Sequence, residues 1–171
     1  SACVIPSVHI SRENVETIKE YTRKIAEEMH VQGLMNMQYA IENGKVFVLE
    51  ANPRASRTVP LVSKVCNVRM VPIATEIITR ELTGKESPVP ALEEKVIPYY
   101  GVKEAAFPFN MFPEVDPLLG PEMRSTGEVL GLSESYGEAF YKAQEAVQSK
   151  LPLSGTVLIS VNRKDKAEVV E

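Results

Sequence analysis

Residues 47–54 carry side chains whose types and spacing would suit a metal ion. They read FVLEANPR, an apolar strand that ends in a carboxylate, a carboxamide and a guanidinium. Side chains two apart on a strand share a face, so Glu50 and Asn52 would present oxygen donors side by side. Pro53 would end the strand just beyond them, because proline cannot donate to the ladder.

A third oxygen donor, Gln38, lies on a second predicted strand just upstream. Strands are predicted near 33–42 and 45–52, and Asn43-Gly44 between them is the strongest short-range signal for a hairpin. An antiparallel hairpin can place Gln38 across from Glu50 and Asn52. Three oxygen donors with a single negative charge suit Mg²⁺ that holds nucleotide phosphates better than they suit zinc. The alternative is a solvated hairpin end with a cap at Asn52.

Two arginines follow the predicted metal ligands. Arg54 and Arg57 are three residues apart, which is one helical turn, so both guanidinium groups could face the same site. The planar guanidinium suits bidentate contact with a phosphate or a carboxylate-like substrate. Surface salt bridges to nearby glutamates are the alternative for both residues.

Helices and strands must position these residues, and their periodicity predicts an α+β fold. The expected architecture is an antiparallel sheet with flanking helices. Helices are predicted near 12–30 with Ser11 as N-cap, from Ser56 onward, over 71–83 ending at Gly84, and near 134–149 with Ser133 as cap. Further strands are predicted over 102–109, 127–132 and 156–161, with a proline-containing loop at 84–91 and an irregular segment at 112–122.

Composition narrows the functional classes. The chain has 171 residues, 44% of them hydrophobic, and a formal charge of −4, which gives no reason to expect nucleic acid or membrane phosphates as partners. No run of about 18 apolar residues occurs. Two cysteines without metal spacing predict reduced thiols and a cytoplasmic protein, and two isolated histidines give no catalytic base. Neither a GxGxxG nor a P-loop motif is present.

The motifs, taken in order, resemble the large chain of carbamoyl phosphate synthetase. Residues 50–60 read EANPRASRTVP, which matches that family's E-x-N-P-R-x-S/A-R-T-V-P run. The resemblance continues through YYGVKE at 99–104, FPFN at 107–110 and DPLLGPEMRSTGEV at 116–129. E-x-N-P-R alone would be moderately specific, whereas the ordered set is strong. Residues 65–69, VCNVR, depart from the small residue, Thr-Gly and Pro that the family has there.

The resemblance implies a domain organisation and an activity. Residues 1–150 would form the C-terminal portion of an ATP-grasp domain, and 151–171 a linker and the first strand of an allosteric domain that resembles methylglyoxal synthase. The enzyme would make carbamoyl phosphate from bicarbonate, glutamine-derived ammonia and two ATP, and this half would phosphorylate carbamate. The chain is expected to be a segment of a much larger polypeptide and inactive alone, because the nucleotide-gripping strands would lie upstream.

The resemblance also implies roles for particular residues. Gln38, Glu50 and Asn52 would hold Mg²⁺ or Mn²⁺, and Arg54 and Arg57 would stabilise the ATP phosphates alongside Gln38 and Glu50. Three further residues would meet allosteric effectors: Glu104 a cationic activator, and Ser160 and Lys166 the phosphate of an effector nucleotide.

The implied partners are the rest of the large chain, a glutaminase small subunit, ATP and carbamate, in arginine and pyrimidine biosynthesis. Two alternatives stay open at this point. One is another ATP-grasp carboxylate–amine ligase or a biotin carboxylase, which the E-x-N-P-R run would also permit. The other is a non-catalytic regulatory or interaction module on the same scaffold.

Overall fold

A computed structural model describes residues 2–84, 95–147, 152–163 and 165–169 of the chain. Within these ranges the chain is a mixture of helices and antiparallel strands, so the α+β prediction is confirmed. The strands are β1 (Cys3–Ile5), β2 (Asn36–Glu42), β3 (Lys45–Asn52), β4 (Tyr100–Ala106) and β5 (Gly127–Ser133). The α-helices are α1 (Arg12–Glu28), α2 (Thr58–Val65), α3 (Met70–Thr83) and α4 (Tyr136–Ala146), with a 3-10 turn at Pro108–Asn110.

The predicted hairpin is confirmed as a separate two-stranded sheet formed by β2 and β3. Glu42 pairs with Lys45, which leaves a two-residue turn. Both turn residues have positive φ angles, 50° at Asn43 and 75° at Gly44, the backbone that a tight hairpin of this kind requires. The first strand begins at Asn36 rather than at residue 33.

Helix α1 lies against one face of this hairpin. Its N-cap is Ser11, as predicted, whose side chain accepts a hydrogen bond of 3.2 Å from the backbone N–H of Asn14. The hydroxyl groups of Thr22 on α1 and Tyr39 on β2 share a hydrogen bond of 2.7 Å. Helix α1 therefore covers the hairpin face that carries Tyr39.

The remaining strands form a second antiparallel sheet in the order β1-β4-β5, with α4 packed on it. Val102, Ala139 and Ala143 are the buried centre of this packing. A Cβ atom at Gly131 would lie 2.0 Å from the carbonyl oxygen of Ala139, so only glycine allows α4 to approach β5 this closely. The pairing of β1 with β4 joins segments almost 100 residues apart, and it is absent from the sequence prediction.

Helices α2 and α3 follow the hairpin. Helix α2 contributes the buried residues Val59, Leu61 and Val65. Helix α3 ends at Gly84 with a φ of 63°, a left-handed cap, so that predicted ending is confirmed. No helix in the described ranges is both long and apolar enough to cross a membrane.

Two local predictions are wrong. Ser133 is the last residue of β5, and the N-cap of α4 is Ser135, which accepts a hydrogen bond of 3.2 Å from the N–H of Glu138. Residues 156–161 form no strand in the structure, because a strand needs a neighbour to satisfy its backbone groups and these residues have none in the described chain. Of the predicted loop at 84–91, all but Gly84 lies outside the described residues, and so does the predicted domain boundary at 150/151.

Candidate functional site

The oxygen-bearing side chains predicted as metal ligands meet at the open end of the hairpin. Gln38 pairs with Glu50, and two positions closer to the strand ends Asn36 pairs with Asn52, with the pair Met37 and Ala51 between them. Because these two pairs are two positions apart, the hairpin sets one carboxylate and three carboxamides on the same face.

A β-bulge makes this arrangement possible. Counting back from the two-residue turn, Tyr39 pairs with Val48, so an unbroken ladder would pair Gln38 with Leu49. Instead the ladder skips Leu49, and Gln38 pairs with Glu50. A shift of one residue moves the following side chains to the other face of a strand. The bulge therefore brings Glu50 and Asn52 to the face that carries Gln38.

This face is the one that α1 leaves open. Successive side chains on a strand point to opposite faces, and Tyr39 is bound by α1, so Gln38 points away from that helix. Gln38 and Glu50 are exposed, whereas Asn36 and Asn52 are half-buried. The donors nearest the turn are thus accessible to a ligand, and those at the strand ends are held in the protein.

The two asparagines differ in how they are satisfied. The side-chain nitrogen of Asn36 donates to the hydroxyl of Ser56 at 3.3 Å. The side-chain nitrogen of Asn52 is buried and has no hydrogen-bond partner among the described residues. Rotation of the Asn52 amide exchanges its nitrogen and oxygen, so it can turn its oxygen to a cation without breaking a hydrogen bond. Asn36 is absent from the predicted site, although its position two residues before Gln38 on the same strand could have indicated it.

Arg54 and Arg57 follow on a loop that is not helical. The prediction that they lie one helical turn apart is wrong, since α2 begins only at Thr58. The Arg54 N–H donates to the Asn52 carbonyl at 2.8 Å, and the Arg54 guanidinium donates to the Ala55 carbonyl at 3.0 Å. Both arginines are exposed, and neither forms an ion pair with a carboxylate in the described part of the chain. Their charges thus remain available to an anion beside the hairpin.

The donor set fits a hard divalent cation. It consists of one carboxylate and neutral amide oxygens, the ligands that Mg²⁺ and Mn²⁺ accept, and the buried Asn52 amide nitrogen has no partner among the described residues. No three His, Cys, Asp or Glu side chains gather into a possible metal site within the described ranges. A site for a softer metal therefore has no support there.

The three residues predicted to meet effectors are not brought together. Glu104 lies half-buried on β4 and accepts a hydrogen bond of 3.2 Å from the side chain of Gln144 on α4. Ser160 and Lys166 are exposed and lie in irregular structure. No hydrogen bond or ion pair joins Glu104 to either of them in the described chain.

Cys66, at the end of α2, is a poor candidate for a nucleophile. Burial raises the pKa of its thiol, and the positive charge of Lys95 opposes that shift only in part. Because the thiolate is the reactive form, a raised pKa lowers its reactivity near neutral pH.

Comparison with known proteins finds similarity to one family along almost the whole chain. Residues 1–82 match the family described as "Carbamoyl-phosphate synthase L chain, ATP binding domain". The carbamoyl phosphate synthase large chain of Archaeoglobus fulgidus is 52% identical over 97% of this chain and 15% of its own length. That of Methanocorpusculum labreanum is 49% identical over 99% of this chain and 16% of its own length.

A third relative is the C-terminal section of the large chain from Methanocaldococcus jannaschii, which is 46% identical over 100% of this chain and 29% of its own length. The chain thus spans between 15% and 29% of these three relatives. Among solved structures, the biotin carboxylase domain of a single-chain bacterial carboxylase superposes with a TM-score of 0.49. It is 16% identical, over 61% of this chain and 25% of that one.

Proposed function

Since this chain belongs to the family of carbamoyl phosphate synthase large chains, we propose that it is the phosphate-facing part of the ATP-grasp domain that phosphorylates carbamate. The parent enzyme then makes carbamoyl phosphate from bicarbonate, ammonia and two ATP. The relatives that match almost the whole chain are named carbamoyl phosphate synthases, which favours this function over another carboxylate–amine ligase.

The observation that carries the proposal is the bulged hairpin. It pairs Gln38 with Glu50 and sets Asn52 on the same open face, directly before two arginines without carboxylate partners in the described chain. Phosphoryl transfer from ATP needs little covalent chemistry from the protein and depends on positioning and on positive charge near the phosphates. A face with cation ligands on one side and guanidinium groups on the other supplies both requirements.

The chain's own residues divide the work. Gln38, Glu50 and Asn52 hold Mg²⁺ or Mn²⁺, which when bound supplies positive charge against the ATP phosphates. Glu50 provides the only negative charge among these ligands, so the site keeps a net positive character toward phosphate. Arg54 and Arg57 bind and orient the phosphate oxygens through their paired N–H donors.

The C-terminal part of the chain has a regulatory role in this proposal. Residues 1–150 belong to the ATP-grasp domain, and 151–171 lead into an allosteric domain. Glu104 receives a cationic activator, which exchanges with the Gln144 side chain for the same carboxylate oxygen. Ser160 and Lys166 contact an effector phosphate. We also propose that the chain works together with the rest of the large chain and with a glutaminase subunit, in the cytoplasm.

Substitution of Glu50 by Gln in the large chain that carries this segment tests the proposal. Transfer of phosphate from carbamoyl phosphate to ADP reports on this half alone. We expect that rate to fall roughly a hundredfold or more. A bound metal ion stabilises the charge of the transition state by several kcal/mol, and each loss of about 1.36 kcal/mol slows the reaction tenfold. We also expect weaker Mn²⁺ binding by calorimetry, with unchanged circular dichroism.

Glu42→Gln is the matched control, since it removes the same charge from the turn end of the same hairpin, away from the predicted ligands. It should leave both the rate and Mn²⁺ binding near the unmodified values. Equal effects of the two substitutions would contradict a metal site at Glu50.

A further inference from the structure

The C-terminal end of α2 is closed by a group from a distant part of the chain. The last four carbonyl groups of a helix lack partners within the helix. Three of those in α2 accept backbone N–H groups from the turn that follows, at 2.9–3.4 Å: Val62, Ser63 and Lys64. The fourth, that of Val65, accepts the hydroxyl of Tyr99 at 2.9 Å, from just before β4. Tyr99 therefore completes the cap of α2.

Two further contacts from the same segment hold this end of the helix. The ammonium group of Lys95 donates to the Asn67 carbonyl, in the turn after α2, at 3.0 Å. Val65 is 1% exposed and packs against Gly101, where a Cβ atom would lie 2.2 Å from a Val65 methyl carbon. The C-terminal end of α2 is thus fixed to the β4 segment by two hydrogen bonds and a close packing contact.

The opposite end of α2 is tied to the hairpin. The Thr58 N–H donates to the Ser56 hydroxyl at 3.2 Å, and the same hydroxyl accepts the Asn36 side chain at 3.3 Å. Arg57 lies between Ser56 and Thr58, directly before the first helical residue. At eight residues, α2 is a rod about 12 Å long, so a displacement at Val65 is passed to the Arg57 end.

We propose that Tyr99 is a positioning residue, whose hydroxyl holds α2 in the place that aims Arg57 at the phosphate site. The inference rests on the proposed function for the role of Arg57. The clamp on α2, meaning the contacts of Tyr99, Lys95 and Gly101 with the end of this helix and the turn after it, does not depend on that function. Within the described residues, Tyr99 forms no hydrogen bond with Arg54 or Arg57, and it acts only through the helix.

The test is Tyr99→Phe in the large chain that carries this segment. The matched control is Tyr141→Phe, which also removes one hydroxyl and one hydrogen bond, that of 2.9 Å to Glu145 within α4. First, hydrogen exchange is measured at the backbone amides of 59 and 61–68, since Pro60 has no amide hydrogen. We expect faster exchange there in Tyr99→Phe and not in the control. Unchanged exchange would overturn the clamp.

Second, phosphate transfer from carbamoyl phosphate to ADP is measured with and without Arg57→Ala. We expect Tyr99→Phe to lower kcat roughly two- to tenfold at nearly constant KM for ADP, because this range corresponds to the loss of one hydrogen bond. In the Arg57→Ala background the same substitution should have little further effect. An equal loss in both backgrounds would overturn the positioning role.

These measurements test the proposed function of Arg57 and the positioning role of Tyr99 separately. If Arg57→Ala itself leaves the rate unchanged, both the proposed function of Arg57 and the positioning role of Tyr99 are wrong, even when the exchange data support the clamp. If Arg57→Ala lowers the rate and Tyr99→Phe does not, the proposed function stands and the positioning role falls.

Discussion

Asn52 shows at the scale of a single residue how a site can be prepared at a cost to stability. Its side-chain nitrogen is buried without a hydrogen-bond partner in the described structure, while its neighbour Asn36 is bound to Ser56. A buried polar group left unsatisfied costs about 1–3 kcal/mol. Such a residue is expected where a ligand, rather than the fold, satisfies the side chain.

This contrast predicts opposite effects for the same substitution at the two positions. We expect Asn52→Leu to raise the free energy of unfolding by about 1 kcal/mol, because an apolar side chain of similar shape removes the unsatisfied group. We expect Asn36→Leu to lower it by about 1 kcal/mol, because the Ser56 hydroxyl loses its donor. Urea unfolding of both variants checks the prediction. Destabilisation of similar size in both would show that Asn52 is a structural residue.

Cys66 gives a prediction on pH dependence. Burial raises the pKa of this thiol, so the folded chain should keep it protonated to a higher pH than the unfolded chain does. A raised folded-state pKa contributes stability at low pH that is lost as pH rises through it. We expect the rate of alkylation by iodoacetamide to reach its midpoint at a higher pH in the native chain than in urea.

The measurement uses Cys3→Ser, so that Cys66 alone reacts. Lys95→Gln is a second variant, and it should slow alkylation further because its positive charge lowers the thiol pKa. Equal midpoints in the native and unfolded chains would contradict the shift.

Sequence patterns predicted the hairpin but not the geometry of its site. Asn43-Gly44 dictates the turn, and alternation places Glu50 and Asn52 together. The bulge at Leu49 is invisible in the sequence, because period-two alternation counted from that turn pairs Gln38 with Leu49 instead. Asn36 does not depend on that register, because it lies two residues before Gln38 on β2 and alternation along this strand alone places both on one face.

At the scale of elements, α4 depends on a residue without a side chain. Gly131 on β5 faces the backbone of α4, where a Cβ atom would lie 2.0 Å from the Ala139 carbonyl oxygen and 2.7 Å from the Ala143 nitrogen. Backbone atoms cannot rotate away as a side chain can. Any larger residue must therefore push the whole helix off the sheet.

We expect Gly131→Ala to lower the free energy of unfolding by about 1–3 kcal/mol, the usual cost of overpacking. Gly127→Ala is the matched control on the same strand, since no atom lies within 4 Å of its Cβ position. That variant should change stability by less than about 0.5 kcal/mol. Urea unfolding followed by circular dichroism measures both. An unchanged midpoint for Gly131→Ala would mean that α4 is not held against β5.

Sequence signals within a few residues predicted most helices and strands, whereas the remaining features depend on pairing between distant parts of the chain. Ser11, Gly84 and the helical periodicities act within a few residues, so the corresponding ends could be predicted. The pairing of β1 with β4 crosses most of the chain, and no local pattern encodes it. Ser133 and Ser135 are both competent caps, and the length of β5 decides between them. The apolar run at 156–161 has strand propensity, but no strand of the described chain lies beside it.

At the scale of the whole molecule, the chain exposes more surface than a compact domain of its mass would. A folded monomer of 18.9 kDa exposes about 8,300 Å². This chain exposes 13,345 Å². Large apolar side chains contribute to the excess, including Leu49 at 63%, Leu82 at 80% and Leu118 at 76% exposure. Apolar surface of this kind marks sites of contact with other protein.

The last prediction concerns the 171-residue chain by itself. We expect it to turn over no Mg-ATP above background, although it carries all the proposed metal and phosphate ligands. Gln38 and Glu50 lie on an open, exposed face, and phosphoryl transfer needs a nucleotide held in position and shielded from water. The relatives that have this activity in their names are several times longer.

Sedimentation velocity should also show self-association that rises with concentration, driven by the exposed apolar side chains. Adding the remaining part of the large chain should suppress that association and restore transfer from carbamoyl phosphate to ADP. Robust ATP turnover by the isolated chain would show that its own surface already encloses the nucleotide, and the exposed hairpin face would then need another explanation.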